Sequence, residues 1–342
     1  MYQGFRGVVR VALMAALVAG WAAPTLAGFK DNSPINYTVD GGTATGYFKV
    51  VAEALNGVVR ESYPGSAATY KPGSPAGGLL NIANGESDVE FTAGAPEVEY
   101  AIEGKAPYKA PIGDKLFFVM RLHNGLVVHS LMTQEWADRN GVRSFADIAA
   151  KKPQMRLTVN QLANLQSTIA MYLTIFDVYG IDEKAVTNGG SSILRGNSSQ
   201  GQEMLRDGKV DVYINGGFVP IAEVTDIART RPLLWISADQ AKMKQVADRW
   251  GNDVRTVPKG AYSFVEHDEF TTTQWNAMVA GKHVTEETVY KFLKALSDNR
   301  DRVRTIHPSL AQFSMEAAVH NPTKLPLHPG AVRFYREAGL IK

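Results

Sequence analysis

Apolar positions Phe48, Val51, Leu55, Val58 and Val59 fall on one helical face and predict a helix over residues 46–62. Pro64 and Gly65 end it. Short apolar runs at 36–39, 67–70 and 89–92 predict strands around that helix and around a second, shorter one that closes near Gly85. Pro96 is placed to open a third helix. Residues 115–122 and 126–130 read as two strands separated by Asn124-Gly125. That dipeptide is a hairpin signal, and it also fits a kink where the chain leaves one domain for another.

From Ser144 the pattern describes a second unit. Ser144 and Asp147 resemble a capping box, 156–159 is a strand, and 166–179 is a helix stopped by Gly180. Ser198 is placed to cap a helix reaching Arg206. A helix to about Arg229, a strand over 233–236 and a helix over 239–250 follow. Beyond Val257 the pattern becomes irregular, until a helix over 286–299 carries Val289, Phe292, Leu293 and Leu296 inward. The proline-rich tail ends in a helix over 331–338, and helices placed after the second unit predict a chain that returns to brace the first.

One motif repeats. Gly85 is followed by Asp88 and a strand that runs out at Gly94, and Gly208 by Asp211 and a strand that runs out at Gly217. Such units are common in α/β folds, yet two of them fit two similar lobes. Ligands of open α/β sheets sit at the carboxyl ends of strands, so Gly94, Gly216 and Gly217 would face one cleft.

Composition narrows the function. The 342 residues carry 36 Lys+Arg against 34 Asp+Glu and no cysteine. Residues 1–27 combine Arg6 and Arg10 with an apolar run and a small-residue end, the pattern of a secretory signal peptide that is removed. Their loss takes two Arg and no acid, leaving 34 basic and 34 acidic residues. A neutral mature chain argues against a nucleic-acid partner. The lack of cysteine excludes disulfides, thiolate metal sites and a cysteine nucleophile. The expectation is a periplasmic protein, monomeric and without cofactor or metal.

Chemistry is concentrated in one stretch. Between Asp40 and Tyr47 lie Gly41, Gly42, Thr43, Thr45 and Gly46, joining a strand to a helix. Glycines let backbone N–H groups approach a ligand, and a helix N-terminus favours negative charge. Thr43 stands where a dinucleotide fingerprint needs its second glycine, so a nucleotide is not indicated. A plain strand-to-helix turn is the competing reading. No Gly-x-Ser-x-Gly elbow occurs, and residues 196–201 lead into Gln202-Glu203 and not into a phosphate loop's Lys-Ser/Thr. His123 and His129 flank Asn124-Gly125 and read as surface or turn histidines. Glu97, Glu99 and Glu103 read as the solvated face of a short helix.

The tail is the most specific segment. Leu325-Pro326-Leu327-His328-Pro329-Gly330, continuing through Tyr335 to Gly339-Leu340, closely resembles the closing segment of the TAXI family. These are the extracytoplasmic solute-binding proteins of one class of TRAP transporters. Val289-Tyr290, Leu296, Asn299, His307-Pro308, the Pro258-x-Gly260-x-Tyr262 segment and the Gly41-Gly42-Thr43-x-x-Gly46-x-Phe48 loop extend the likeness. The resemblance implies an α/β fold of two lobes, a type II periplasmic-binding-protein fold with a hinge and an interlobe ligand cleft. It implies lobe 1 over 28–124 and 258–342, lobe 2 over 125–257, and delivery of a small organic anion or amino acid to a TRAP membrane permease.

On that reading Gly41, Gly42, Thr43, Thr45 and Tyr47 hold the ligand from the first lobe. Asn160, Asn164, Gln166, Ser167 and Gly217 meet it from the second, with Phe218 and Tyr262 as walls. Three ligand loops depart from the family. Ser74-Pro75-Ala76-Gly77-Gly78 replaces Gly-Ser-x-x-Asn, Ala93-Gly94-Ala95-Pro96-Glu97 replaces a Gln-Ser-Asp segment, and Asn164-Leu165-Gln166-Ser167 replaces Ser-Gly-Thr-Glu. Glutamate is therefore not transferred as the ligand. A sensory binding protein that reports to a membrane receptor is the alternative on the same fold. An exported enzyme would need a nucleophile, metal or acid/base pair, and no such group stands out.

Overall fold

The computed structural model describes residues 32–42, 44, 47–160, 167–188 and 190–342. The expected signal peptide, Thr43, Thr45, Gly46, Asn164 and Gln166 lie outside the described residues.

In chain order the first elements are β1 (Asn36–Gly41), α1 (Tyr47–Ser62), β2 (Ala67–Pro72), α2 (Pro75–Asn84), β3 (Val89–Ala93) and α3 (Ala95–Glu103). Then come β4 (Leu116–Thr133), α4 (Gln134–Asn140), α5 (Phe145–Lys151), β5 (Arg156–Val159), α6 (Ser167–Tyr179) and α7 (Glu183–Asn188). β6 (Ser192–Arg195), α8 (Ser198–Arg206), β7 (Val212–Gly217), α9 (Ala222–Thr230), β8 (Leu233–Trp235) and α10 (Gln240–Arg249) follow. The chain closes with β9 (Val254–Val257), β10 (Glu269–Gly281), α11 (Glu286–Asp298), α12 (Arg300–Ile306), α13 (Met315–Ala318) and α14 (Pro329–Glu337).

The main sheet runs β2-β1-β3-β10-β4-β7-β5-β6, with β8 on β4 and β9 on β10. β2, β1 and β3 are parallel at one end, and β7, β5 and β6 at the other. β10 runs antiparallel to its neighbour β3, β4 antiparallel to its neighbour β7, and the two antiparallel to each other, connecting the halves. β4 does so because its 18 residues pair first with β10 and then with β7. The hairpin signal at Asn124-Gly125 does not turn the chain back. The strand continues through it, with a register shift between the pairs Gln274↔Leu126 and Asn276↔His123. The partner it needs is β10, far along the chain, so the dipeptide marks a bulge.

Each half has its own core. Val51, Leu55, Val58 and Val59 of α1 pack with Val39, Phe91, Phe292, Leu296 and Tyr335, so α11 and α14 share the core of β1 and β3. The chain does return to the first half. Trp136, Phe145, Leu157, Met171, Phe176 and Ile214 form the core of the second half. Val257, Tyr262 and Val265 pack with Leu131, Leu205 and Tyr213 of that half. Fully burying one such side chain contributes about 1.5–3 kcal/mol.

Helix ends follow the sequence with one exception. Ser144 and Asp147 form the expected capping box on α5, and Gly85 ends α2 in the left-handed region at φ 78°. α8 is capped by Asn197, whose side chain accepts the Gln200 N–H; Ser198 is its first helical residue. The stretch after Val257 is not irregular throughout, since β10 occupies thirteen residues of it. No helix among the described residues is long and apolar enough to cross a membrane.

Candidate functional site: the cleft floor

The parallel strands of both halves end at one place. β1 stops at Gly41 and β3 at Ala93 from one side, β5 at Val159 and β7 at Gly217 from the other. Here α3 and α6 meet across the halves. The Ser167 hydroxyl at the start of α6 donates to Glu97 Oε2 at 2.6 Å, and the Gly94 N–H donates to the same oxygen at 3.2 Å. A Cβ at Gly94 would stand 2.1 Å from Ser167 Oγ, so glycine is what lets the two halves touch. Glu97 is buried and not on a solvated face, because its carboxyl plugs this junction. Burial pushes its pKa up to about 7, against the lowering pull of the Ser167 and backbone hydrogen bonds. Glu99, on the same helix, instead forms a bidentate pair with Arg249 of α10 at 2.7 and 3.0 Å, and that cation holds its pKa down.

Aromatic rings from both halves close the same space. The Tyr47 ring at the start of α1 lies 4.8 Å from Phe218, 5.4 Å from His123 and 4.7 Å from His307. The Tyr47 hydroxyl is bonded to Ser309 Oγ at 2.7 Å. Phe218 follows β7 and approaches β4 at Gly125, where a Cβ would already touch its ring at 3.4 Å.

Beneath the rings, β4 and β10 supply polar groups. His123 and Asn276 are partners across the ladder, and paired residues project from the same face. His123 Nδ1 accepts the Gly125 N–H at 3.4 Å, while Nε2 has no partner among the described residues. Asn276 Nδ2 donates to the Thr92 carbonyl, and its Oδ1 is unpartnered among the described residues. Gln274 Oε1 accepts from Thr168 Oγ1 at 3.2 Å, and its Nε2 is likewise unpartnered. His123, Gln274 and Asn276 are 6%, 4% and 5% exposed. A buried polar atom left without a partner costs about 1–3 kcal/mol. Desolvation, helped by nearby His307, depresses His123 to about 3, so this ring is neutral.

The expected site residues divide. Tyr47 packs on Phe218, Ser167 bonds Glu97 across the halves, and Asn160 Nδ2 bonds Asn215 Oδ1 at 3.4 Å. Gly41 lies against Tyr70, whose ring a Cβ there would meet at 2.6 Å. The Gly42 carbonyl accepts the Tyr70 hydroxyl at 3.0 Å and the Gly73 N–H at 2.9 Å. Gly217 accommodates Ile221, and a Cβ there would also stand 3.4 Å from His129 Cε1. Tyr262 sits apart from the aromatic group, stacked on Phe264 with its hydroxyl between His129 Nε2 at 2.8 Å and the Ile221 N–H at 2.7 Å. Neither His123 nor His129 is a surface residue, because the strand that carries them lies in mid-sheet. His123, Gln274, Asn276, Thr168 and His307 were not among the sequence candidates. Gln274 and Asn276 lie in the polar run Thr271-Thr272-Thr273-Gln274 and Asn276 of β10, which is buried along almost its whole length and carries no apolar signature in sequence.

The altered Ser74–Gly78 loop has a structural consequence as well. A Cβ at Gly78 would stand 2.4 Å from Glu90 Cγ, so the buried Glu90 occupies that space. Its carboxyl accepts the Thr92 and Ala93 N–H groups, each at 2.6 Å, and burial raises its pKa well above the usual range. Neighbouring Asp40 accepts from Gly41 N, Asn81 Nδ2 and Ser87 Oγ.

One family profile spans residues 40–339 of the chain. The chain belongs to the NMT1-like family. Among solved structures, MatC from Rhodopseudomonas palustris with bound malate matches at 15% identity and a TM-score of 0.50, over 91% of this chain and 97% of that one. The alkanesulfonate-binding protein SsuA from Xanthomonas axonopodis pv. citri bound to MOPS matches at 11% identity and a TM-score of 0.45, over 91% and 95%. At such identities the likeness to MatC establishes the fold. This NMT1-like chain has the mixed α/β, two-lobe architecture of periplasmic binding proteins, with the cleft between the halves just described.

Proposed function

We propose that this protein is an extracytoplasmic solute-binding protein of a TAXI-type TRAP transporter. It captures a small organic acid or amino acid between its lobes and delivers it to a membrane permease. The observation that carries this reading is the set of unpartnered buried atoms on His123, Gln274 and Asn276, at the point where the two lobes touch. The TAXI-like tail, the Pro258–Tyr262 segment and the Gly-Gly-Thr loop support the subfamily. MatC, with its bound malate, supports an organic acid as the solute.

In this reading residues 1–27 direct export and are removed, and the mature chain works in the periplasm as a monomer without catalysis. Lobe 1 is built from the chain before Gly125 together with the C-terminal segment, and lobe 2 from the chain between them. The second crossing falls within β10 and not at Pro258, a placement supported by Tyr262 and Val265 packing among lobe 2 residues. Tyr47 and Phe218, in contact with each other, cover the ligand together, with Asn160 and Ser167 on the lobe 2 side. Thr43, Thr45, Asn164 and Gln166 are further ligand contacts on the sequence reading alone, and Gly41, Gly42 and Gly217 keep the strand ends close to the ligand. Closure of such lobes is hinge motion stabilised by contacts made in the closed state, as Ser167 with Glu97 would be.

The test is a thermal-melting screen of the mature protein, stripped of carried ligand, against organic acids and amino acids. At least one compound is expected to raise the melting temperature saturably. Silence from folded, stripped protein across the panel overturns the reading.

A further inference from the structure

The donor and acceptor pattern of the cleft floor narrows the solute. Asn276 is fixed in orientation, because a backbone carbonyl can only accept and its Nδ2 faces the Thr92 carbonyl. Oδ1 is therefore the atom left free among the described residues, and it is an acceptor. His123 accepts a backbone N–H at Nδ1, so the neutral ring carries its proton on Nε2, a donor. Gln274, with Oε1 engaged by Thr168, turns its amide Nε2 outward as a second donor. The β4–β10 ladder thus offers two donors and one acceptor, and the His123 and Asn276 groups lie side by side on one face of it.

Charge is missing from this constellation. Among the described residues that make these contacts, none is lysine or arginine, and His123 is neutral. The described acid at the junction, Glu97, would repel an anion once ionised. A carboxylate seated on β4 and β10 could use both donors but would press an oxygen against Asn276 Oδ1, buried and without a counter-ion. A carboxamide satisfies all three groups: its C=O accepts from His123 and Gln274, and its N–H donates to Asn276. A hydroxyl does the same with its two lone pairs and one proton.

Resting on the solute-binding reading, we propose that the solute carries an uncharged carboxamide or hydroxyl at the end that reaches β4 and β10. A carboxylate at that end is selected against. Wrongly matched buried polar groups discriminate strongly between isosteres.

The experiment is titration calorimetry on the mature protein with isosteric pairs: glutamine and glutamate, asparagine and aspartate, succinamate and succinate, with lactate and glycerate as hydroxy acids. The expected result is at least one pair in which the amide binds tenfold or more tighter than the acid, or a hydroxy acid that outbinds all the dicarboxylates by that factor. Asn276→Leu, with its fold checked by circular dichroism, should reduce this preference to within about threefold. His123→Gln retains a donor and should keep the preference, which leaves a second variant should Asn276→Leu fail to fold. Dicarboxylates that bind as tightly as their amides, or more tightly, overturn the inference and leave the solute-binding reading standing. Silence from every compound, together with silence in the wider melting screen, overturns both.

Discussion

Replacing Glu97 with glutamine separates the charge of the interlobe junction from its shape. The amide oxygen of the variant side chain can still accept from the Gly94 N–H and the Ser167 hydroxyl, so the contacts of the carboxylate are kept. What disappears is ionisation. Glu97 titrates at about 7 in the fold against an ordinary value of 4.5, so the folded state holds its proton after the unfolded chain has released it. Stability therefore falls as pH rises from 4.5 to 7 and is flat above that. The gap between those two values corresponds to about 3 kcal/mol, each tenfold in proton affinity being worth about 1.36 kcal/mol. With an unfolding entropy of about 2.1 cal/mol/K per residue over roughly 310 residues, that is about 5 °C in melting temperature. Melting curves of both proteins from pH 4.5 to 8.5 provide the assay, and their difference cancels every other titrating group. The variant should match the wild type near pH 4.5 and exceed it by about 5 °C above pH 7.5. A difference that does not change with pH, or that reverses in sign, would refute the placement of a buried carboxyl at the junction.

Other outcomes follow from the same geometry. His123 is depressed to about 3 from 6.5, so the fold resists its protonation and loses stability as pH falls below 6.5. His123→Gln should therefore gain about 2 kcal/mol on wild type between pH 7.5 and 5, as read by denaturant melts at the two pH values. Gly94→Ala places a Cβ 2.1 Å from Ser167 Oγ and should weaken ligand affinity at least tenfold by holding the lobes apart. Ser167→Ala in that background should restore most of the loss, which a double-mutant cycle measures. Gly78→Ala drives a Cβ to 2.4 Å from Glu90 Cγ and should cost about 1–3 kcal/mol in denaturant unfolding, with no change in the cleft's ligand preference.

The regular elements were legible because their apolar positions repeat with the period of the element. Val51, Leu55 and Val58 mark α1 as surely in the sequence as in the core they occupy. The repeated Gly-x-x-Asp units led correctly to the ends of β3 and β7, where backbone must come close. β10 was not legible, because Thr271, Thr272, Thr273, Gln274 and Asn276 are buried while remaining polar, so the strand lacks the apolar signature on which recognition depends. The same feature hid the cleft floor. Buried residues that keep polar side chains resemble a surface segment in sequence. His123 and Glu97 were misplaced for a related reason: short-range cues suggested a turn and a solvated helix face. Both residues are buried by long-range partners, β10 for the first and α6 for the second.

The central claim is that a small solute is held on β4 and β10 between the lobes. Its most direct test is calorimetric titration of the tightest-binding acid from the melting screen into wild-type protein and into folded Asn276→Leu. The account predicts one site per chain, with affinity at least tenfold weaker in the variant, since one hydrogen bond to a buried polar group is worth about 1–3 kcal/mol. Equal affinity in the two proteins would contradict it.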